Sequence, residues 1–311
     1  GGNIVMNSRV SIGAGNTLTI NNNSLTGSWT LANRLVGEGE FIKEGSGSLL
    51  LTGANDEFSG TITVNDGALE VQSLAALGSG TTIDTAVADA KLVLNNAVVD
   101  TTWYSDIVVE GLGGLEKAGA GTVILTEAQT YTGGTKVSGG RLVVQDELAS
   151  TDVKVTDPNA VFEISYTGST PWAWTGGVIS GQGGFTKSGV GTLTLDSAQR
   201  YLGPTNVNEG TLLLDTGASL NAQSQVTVAA DGTLELNIGT FQNRLAGAGT
   251  VVLDQSLTLS GDNANFSGAF DIAGAGITLT VAHANAPAPA GTATGAGNPS
   301  PTKNTRPPRP G

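Results

Sequence analysis

The chain has 311 residues, 46 glycines, no cysteine and a formal net charge of −13. The acidic balance excludes the broad basic surface of a general nucleic-acid binder, and the lack of cysteine excludes disulfide bonds. No apolar run of about eighteen residues is present, which excludes a transmembrane helix. The pattern of residues at the start of the sequence does not predict a signal peptide, and we interpret Gly1-Gly2-Asn3 as the start of a cut fragment or a mature end.

Residues 1–282 consist of short runs of Val, Leu, Ile and Thr that are separated by Gly, Asn and Asp. Runs such as 17–20 and 61–64 alternate apolar and small polar residues, which is the period of a β-strand. The best candidate for a helix is Leu74–Leu77, and it is one turn long. We therefore predict an all-β fold and a single domain over residues 1–282.

An internal repeat organises this region. Residues 110–144 and 180–214 align without a gap, an earlier copy covers 38–71, and a degenerate copy covers 247–280. Lysines recur at the same place in the first three copies, at a nearly constant interval, as Lys43, Lys117 and Lys187. The period indicates a solenoid, in which each coil needs its neighbours to complete its core and its strand ladders.

Each of the first three copies combines glycine turns with short strands. A Gly-x-Gly turn comes first, then a Lys-x-Gly-x-Gly turn, a strand, an aromatic-x-Gly corner and a final strand. We read this as short parallel strands joined by three turns per coil. Coils of about 20–25 residues would divide the interval between two copies, about 70 residues, into three coils.

The C-terminal segment 283–311 has a different texture. Seven of the ten prolines lie there, and no Asp or Glu follows Asp271. Such a composition cannot bury a core, so we predict a disordered Pro-rich tail. It is either a natural linker or a segment added in cloning.

The repeat resembles the passenger-associated transport repeat of type V autotransporters. The matching residues include Gly111 to Thr122, Leu125-Thr126, Tyr131 to Thr135 and Gly140-x-Leu142, with a second copy from Gly181 to Leu195. The resemblance implies a right-handed, single-stranded parallel β-helix, a β-solenoid similar to pertactin-like and self-associating adhesins. It also implies secretion through the periplasm to the surface of a Gram-negative bacterium, with the chain's own C-terminal outer-membrane β-barrel as a partner.

Few side chains are candidates for chemistry. His283 is the only histidine, and the pairs Asp56/Glu57 and Asp146/Glu147 are interpreted as solvated turn residues. The recurring lysines of the repeat are predicted to have a structural role in turns, with a spaced basic column as the alternative. We predict no catalytic, cofactor-binding or metal-binding residues.

Tryptophans recur just before the repeats. Trp29 and Trp103 each lie 14 residues before the lysine of a copy, and Trp174 lies 13 residues before Lys187. We predict an aromatic stack in equivalent coils, with a glycan- or protein-binding strip as the alternative. Thr-x-Thr pairs such as Thr61/Thr63 are too irregularly spaced for a flat ice-binding array.

The resemblance implies a surface-displayed passenger whose repeats aid folding during secretion. Because few side chains are candidates for chemistry, we predict that this passenger is non-enzymatic and acts in adhesion or self-association. Its partner would be a host surface or matrix component, or another copy of itself, and not a nucleic acid. Two alternatives stay open. The chain is the scaffold part of an autotransported enzyme whose catalytic portion lies elsewhere, or it binds host serum proteins, which a large exposed apolar patch would indicate.

Overall fold

A computed structural model describes residues 3–4, 9–24, 27–150, 152–175, 177–272 and 274–283. The chain falls into two compact units, of which the first is Gly1–Ser165 with Thr175–Gly183 and the second is Tyr166–Trp174 with Gly184–Gly311. Of the predicted tail, only His283 is among the described residues. In the described part of the chain, no helix has the length and apolar character needed to cross a membrane.

Nearly all regular structure is short β-strand. The strands up to residue 165 are β1 (Asn3–Ile4), β2 (Val10–Ser11), β3 (Thr17–Asn21), β4 (Trp29–Leu31), β5 (Leu35–Val36), β6 (Glu40–Glu44), β7 (Ser48–Leu51), β8 (Thr61–Val64), β9 (Ala68–Val71), β10 (Thr82–Thr85), β11 (Lys91–Asn95), β12 (Thr102–Ser105), β13 (Val108–Gly111), β14 (Gly114–Ala118), β15 (Thr122–Leu125), β16 (Thr135–Val137), β17 (Arg141–Val144), β18 (Val153–Val155) and β19 (Val161–Ser165). The later strands are β20 (Trp172–Ala173), β21 (Ile179–Gly181), β22 (Gly184–Ser188), β23 (Thr192–Leu195), β24 (Arg200–Tyr201), β25 (Thr205–Leu214), β26 (Gln225–Leu236), β27 (Thr240–Phe241), β28 (Arg244–Gly247), β29 (Thr250–Leu253), β30 (Leu257–Leu259), β31 (Asn265–Phe266), β32 (Ala269–Ile272) and β33 (Leu279–Val281). The predicted helical turn is a single 3₁₀ turn at Leu74–Leu77.

The first unit is a parallel solenoid in which each strand pairs with the strand one coil further along the chain. The first ladder runs β1-β4-β7-β9-β11-β14-β16-β18-β21. The second runs β3-β6-β8-β10-β13, and the third includes β12-β15-β17-β19. These pairings confirm the prediction of an all-β parallel solenoid, and its right-handedness stays a prediction.

The second unit repeats this architecture with its own parallel ladders. They are β22-β25-β26-β28-β31, then β20-β23-β25-β26-β29-β32, and β27-β30-β33. β25 and β26 each continue through a corner and contribute to two ladders, with a register shift between Val207 and Glu209. The paired strands described in both units are therefore parallel.

Inward positions fill the core in columns. On the first ladder Leu49 pairs with Leu69, Leu69 with Leu92, and Leu92 with Leu115, and all four side chains are buried. Burial of each such side chain contributes about 1.5–3 kcal/mol. Alternate residues point outward, which explains the period of two in the sequence.

Glycine pairs make the corners, and the two members of a pair act differently. Gly111 has φ +98°, a left-handed conformation that side chains with a Cβ rarely adopt. Gly113 has no such need, but a Cβ there would lie 2.2 Å from the carbonyl oxygen of Ala90 in the preceding coil. One glycine thus turns the chain, and the next lets two coils approach closely.

The division of the repeat interval into three coils is wrong for the first two copies. Lys43 lies on β6, and three coils carry the chain along the second ladder to β13. Lys117 lies on the following strand, β14, which belongs to the first ladder. The interval from Lys43 to Lys117 is therefore three coils plus one further strand. Coils also differ in length: the coil is short where Thr135 pairs with Val153 and long where Ile83 pairs with Val109.

Candidate functional site: the buried lysines of the repeat

The side chain of Lys117 is fully buried, and its ammonium donates hydrogen bonds to three backbone carbonyl oxygens. Nζ donates to the carbonyls of Ala118 at 2.8 Å, Gly119 at 2.9 Å and Gly139 at 3.0 Å. An ammonium has three N–H donors, so the three carbonyls satisfy it completely. We call this arrangement a lysine cradle.

The other two copies build the same cradle, each with a lysine that is fully buried. The acceptors of Lys43 are the carbonyls of Glu44 (3.0 Å), Gly45 (2.5 Å) and Asp66 (2.9 Å), and those of Lys187 are the carbonyls of Ser188 (2.8 Å), Gly189 (2.6 Å) and Glu209 (3.1 Å). In each copy two acceptors follow the lysine directly, and the third lies one coil further on. The third acceptor comes from Asp, Gly or Glu, and in each case the hydrogen bond goes to its backbone carbonyl.

The second acceptor is a left-handed glycine in all three copies. Gly45, Gly119 and Gly189 have φ of +77°, +75° and +72°. This conformation turns the glycine carbonyl back towards the ammonium. A Cβ on Gly119 would also lie 2.3 Å from the carbonyl oxygen of Asn96 in the preceding coil. The Lys-x-Gly spacing therefore follows from the geometry of the cradle.

The lysines do not form a basic surface column, so that alternative is wrong, and the predicted structural role in turns is confirmed. Burial lowers the pKa of Lys117 to about 8 and also lowers the pKa of Lys43. For Lys43 the nearby Asp66 carboxylate partly offsets this effect. The ammonium of Lys117 is held in the interior by carbonyl dipoles.

The degenerate copy lacks both parts of the cradle. Leu253 is the sixth residue after Gly247, as Lys43 is the sixth residue after Gly37, and Leu253 is fully buried. Two residues later stands Gln255, where the other copies have a left-handed glycine. The lysine and its glycine occur together and are lost together.

A second polar element lies at the aromatic corner. The hydroxyl of Tyr131 is 2.6 Å from Oγ1 of Thr135, which donates to Oγ of Ser150 at 2.9 Å. The same pair recurs in the next copy, where Tyr201 lies 2.6 Å from Thr205. Both tyrosines are fully buried, and burial raises their pKa above the ordinary value.

The other two copies have an apolar version of this corner. Phe58 and Ile62 replace the Tyr and Thr and are fully buried, and in the degenerate copy Phe266 packs edge-on against Phe270 at 5.2 Å. A Cβ on Gly60 would lie 2.9 Å from the ring of Phe58. This contact confirms that the aromatic ring packs beside the glycine.

The tryptophans occupy equivalent ladder positions, with one correction. Trp29 pairs with Leu49 and Trp103 with Val123, which are corresponding residues of the first two copies. In the third copy it is Trp172, and not the predicted Trp174, that pairs at this position, with Leu193. Trp174 follows the end of β20 and is buried, with only 2% of its surface exposed.

The tryptophans of the first unit form neither a common stack nor a strip. Trp29 lies on the first ladder and Trp103 on the third, so they face different sides of the solenoid. In the second unit Trp172 contacts Tyr166 and Trp174 at ring-centroid distances of 5.5 Å and 6.2 Å. The ring contacts of these tryptophans are therefore local to one segment of the chain.

The candidate carboxylates are exposed turn residues, as predicted. Glu57 makes exposed ion pairs with Arg9 at 3.5 Å and Arg34 at 3.1 Å, and Asp146 accepts a hydrogen bond from the amide of Glu147. His283 is half-buried at the end of the described chain. The described residues contain no group of three His, Cys, Asp or Glu side chains that could hold a metal ion.

An ion-pair network that was not predicted from the sequence lies on the first ladder of strands. Glu116 accepts from Lys91 at 2.9 Å, from Lys136 at 2.8 Å and from Ser138 at 2.8 Å, in three successive coils. Burial opposes the charge of Glu116, but these hydrogen bonds and the Lys91 charge lower its pKa to about 2. Arg141 likewise pairs with the buried Glu163. These ion pairs join oppositely charged residues that lie about one coil apart in the sequence, and this spacing is the sequence signal that could have predicted them.

Two outward columns of the second unit were missed as well. Thr192, Thr211, Thr233 and Thr250 pair in register over four successive coils. The neighbouring column contains Leu213, Glu235 and Val252, so no flat two-column threonine array is formed. Burial, a hydrogen bond to Asp254 and the neighbouring carboxylates raise the pKa of Glu235 to about 7.

The fold and the lysine cradle together define a class of protein: a parallel β-solenoid whose repeat contains a buried lysine that binds backbone carbonyls. The sequence profile of the passenger-associated-transport-repeat matches residues 41–71, 115–144 and 185–214. These three segments contain the three cradle lysines, and the degenerate copy lies outside them. The chain therefore carries the transport repeats of an autotransporter passenger, and the resemblance seen in the sequence is confirmed.

One relative extends this finding. The chain is 30% identical over 252 residues to a protein named "Adhesin BmaC autotransporter" from Brucella suis biovar 1 (strain 1330). The alignment covers 69% of this chain and 7% of that protein, so the chain spans a small part of its relative's length. No solved structure matches the chain.

Proposed function

We propose that this chain is a surface-displayed segment of an autotransporter passenger that acts in adhesion or self-association, without catalysis, and that its repeats are folding units of the solenoid. The observation that carries the proposal is the coincidence of the three transport repeats with the three lysine cradles. The similarity to a protein named as an adhesin supports the adhesive role. Secretion to the cell surface belongs to the same proposal.

The partners are proposed on the same basis. They are the protein's own translocating outer-membrane β-barrel during export, and afterwards a host surface or matrix component or another copy of the chain. The outward faces suit many weak contacts rather than one deep pocket. Glu40, for example, accepts hydrogen bonds from Thr17 at 3.4 Å and Thr63 at 3.1 Å, which gives a flat polar surface over three coils.

One observation favours a second function, the binding of host serum proteins. Val98 and Val99 lie in the turn before β12, and Tyr104 lies on β12, with exposed fractions of 63%, 62% and 71%. Large apolar side chains exposed in one short segment are typical of protein-binding surfaces. The buried carboxylate Glu163 is paired with Arg141, so it gives no support to the enzyme-scaffold alternative.

Display of the passenger on non-adherent bacteria tests the proposal. The expected result is faster settling of the culture or more bacteria bound per host cell than with the translocator alone. Equal settling and equal binding, with display verified by surface labelling, would contradict it. In parallel, a variant with Val98→Ser, Val99→Ser and Tyr104→Ser tests the second function: selective loss of serum-protein capture supports it, and unchanged capture contradicts it.

A further inference from the structure

Apolar pattern alone specifies the register between coils weakly. A slip of one residue exchanges the faces of a strand and is strongly disfavoured, but a slip of two residues returns inward residues to the core. The inward columns contain stretches of similar apolar residues: Leu49 and Leu51 of β7 face Leu69 and Val71 of β9, which in turn face Leu92 and Leu94 of β11. Coil lengths also vary, so length does not fix the register either.

The third acceptor of each cradle distinguishes the native register from a slipped one. It lies in the following coil, 23 residues after Lys43 and 22 residues after Lys117 and Lys187. The residue after it is a left-handed glycine in each copy, Gly67, Gly140 or Gly210. That glycine packs on the cradle coil, since a Cβ on Gly140 would lie 2.2 Å from the carbonyl oxygen of Gly121.

A slip of two residues removes this acceptor from the ammonium. The lysine would then be buried with an N–H that no carbonyl accepts, and a buried charge without its full set of partners is strongly destabilising. A leucine at the same position would not respond to the slip in this way. The cradle therefore penalises a wrong register more than an apolar residue does.

We propose that the three cradle lysines are register locks, which select the native alignment of each lysine-bearing coil with the coil that follows it. This inference deepens the folding part of the proposed function and rests on it. A single buried polar residue fixes the register of coiled coils by the same physical principle.

The degenerate copy indicates that the lysine is not needed merely to fill its inward position, and that it contributes to the choice of register. Leu253 fills the same inward position, is fully buried, and its strand β29 pairs with β32 in the coil that follows. A coil thus closes over an apolar residue at this site. What the lysine adds is a requirement for one carbonyl at one place in the next coil.

Disulfide trapping tests the lock directly, because the chain has no cysteine of its own. Ile124 and Val143 are in-register partners on β15 and β17, in the two coils that the Lys117 cradle joins, and Val143 is 5% exposed. Their Cα atoms lie about 4.8 Å apart, as a disulfide requires. A pair at Ile124 and Gln145 is two residues out of register, at about 8 Å, and cross-links only in the slipped form.

The purified chain is refolded and oxidised with each cysteine pair in three backgrounds: native, Lys117→Met, and Lys154→Met as a control on an exposed outward position. We expect the native and Lys154→Met chains to form the Ile124–Val143 cross-link almost alone. In Lys117→Met the ratio of native to slipped cross-link should fall by on the order of tenfold, as expected for one lost hydrogen bond to a charged group. An unchanged ratio in Lys117→Met would overturn the proposal.

A second lysine variant keeps the proposal testable if Lys117→Met does not fold. If Lys117→Met does not fold, Lys187→Leu is tested with cysteines at Thr194 and Leu213, which are in register, and at Thr194 and Asp215, which are not. A shift to the slipped cross-link supports the lock, and either an unchanged ratio or a second failure to fold overturns it. The assay uses no cells, so its failure is distinguishable from failure of the proposed adhesion.

Discussion

Lys117 and Gly139 are 22 residues apart in the chain, yet the ammonium of the first donates to the carbonyl of the second at 3.0 Å. This hydrogen bond joins two coils of the solenoid through the interior. Because the same bond recurs from Lys43 to Asp66 and from Lys187 to Glu209, it is a property of the repeat. In each of these repeats a buried ammonium therefore joins two successive coils.

Removal of a cradle lysine should destabilise the chain. In Lys117→Ala three carbonyls lose their donor and a cavity replaces the side chain, so we expect the free energy of unfolding to fall by about 2–4 kcal/mol. Urea denaturation followed by circular dichroism measures this. Lys154→Ala is the matched control, since Lys154 is exposed, and it should change stability by less than about 0.5 kcal/mol. Equal effects of the two substitutions would argue against the cradle.

Two glycines with the same backbone conformation should respond differently to alanine. Gly119 and Gly15 have φ of +75° and +76°, but a Cβ on Gly119 would strike Asn96, whereas nothing lies within 4 Å of a Cβ on Gly15. We expect Gly15→Ala to cost about 1 kcal/mol from backbone strain alone and Gly119→Ala at least about 2–3 kcal/mol. Thermal unfolding of the two variants compares them. Similar melting temperatures would show that the coils can separate at Gly119.

The tyrosine corner should behave as a coupled pair. Thr135→Val leaves the buried Tyr131 hydroxyl without its partner and should cost about 2 kcal/mol. The double variant Tyr131→Phe/Thr135→Val reproduces the apolar corner of Phe58 and Ile62, so it should cost less than the sum of the single changes by about 1 kcal/mol. A double-mutant cycle measures this coupling, and strict additivity would contradict the hydrogen bond.

Glu116 should contribute to stability against acid. Its pKa is about 2 in the folded chain, below the ordinary value of 4.5, so its contribution is fully present above pH 4.5 and is lost as the pH falls towards 2. Lys91 and Lys136 are partly exposed, which screens the interaction, and we expect about 1–2 kcal/mol. Glu116→Gln should remove this part of the pH dependence between 4.5 and 2. A Glu116→Gln profile that parallels the native one over this range would refute the assignment.

The sequence predicts the local features of this fold well and its lateral relationships poorly. Alternating runs, Gly-x-Gly corners and the recurring lysines establish the parallel solenoid and the turn role of Lys43, Lys117 and Lys187. The ion pairs of Glu116, the column from Thr192 to Thr250 and the pairing of Trp172 instead of Trp174 all depend on which residues meet across coils. Because coil length varies along the chain, sequence spacing does not determine those meetings.

The degenerate copy shows a second limit. Sequence similarity identifies residues 247–280 as a copy, but it does not reveal that Leu253 stands where the other copies have a buried ammonium. Lysine is rarely buried, so a recurring lysine in a glycine-rich turn predicts a structural role but does not predict a buried ammonium. The lysine cradle becomes visible only in three dimensions, where the carbonyls of Gly119 and Gly139 both accept hydrogen bonds from the ammonium of Lys117.

Nuclear magnetic resonance of the lysine side-chain ammonium groups is the most direct test of the lysine cradle. With ¹⁵N-labelled lysine in mildly acidic buffer, we expect three slowly exchanging Nζ signals, assigned by Lys→Met variants to Lys43, Lys117 and Lys187, with couplings across hydrogen bonds to carbonyl carbons such as that of Gly139. Exposed lysines should exchange too fast to be seen. Rapid exchange at all three positions, or the absence of coupling to the following coil, would contradict a buried ammonium that joins successive coils.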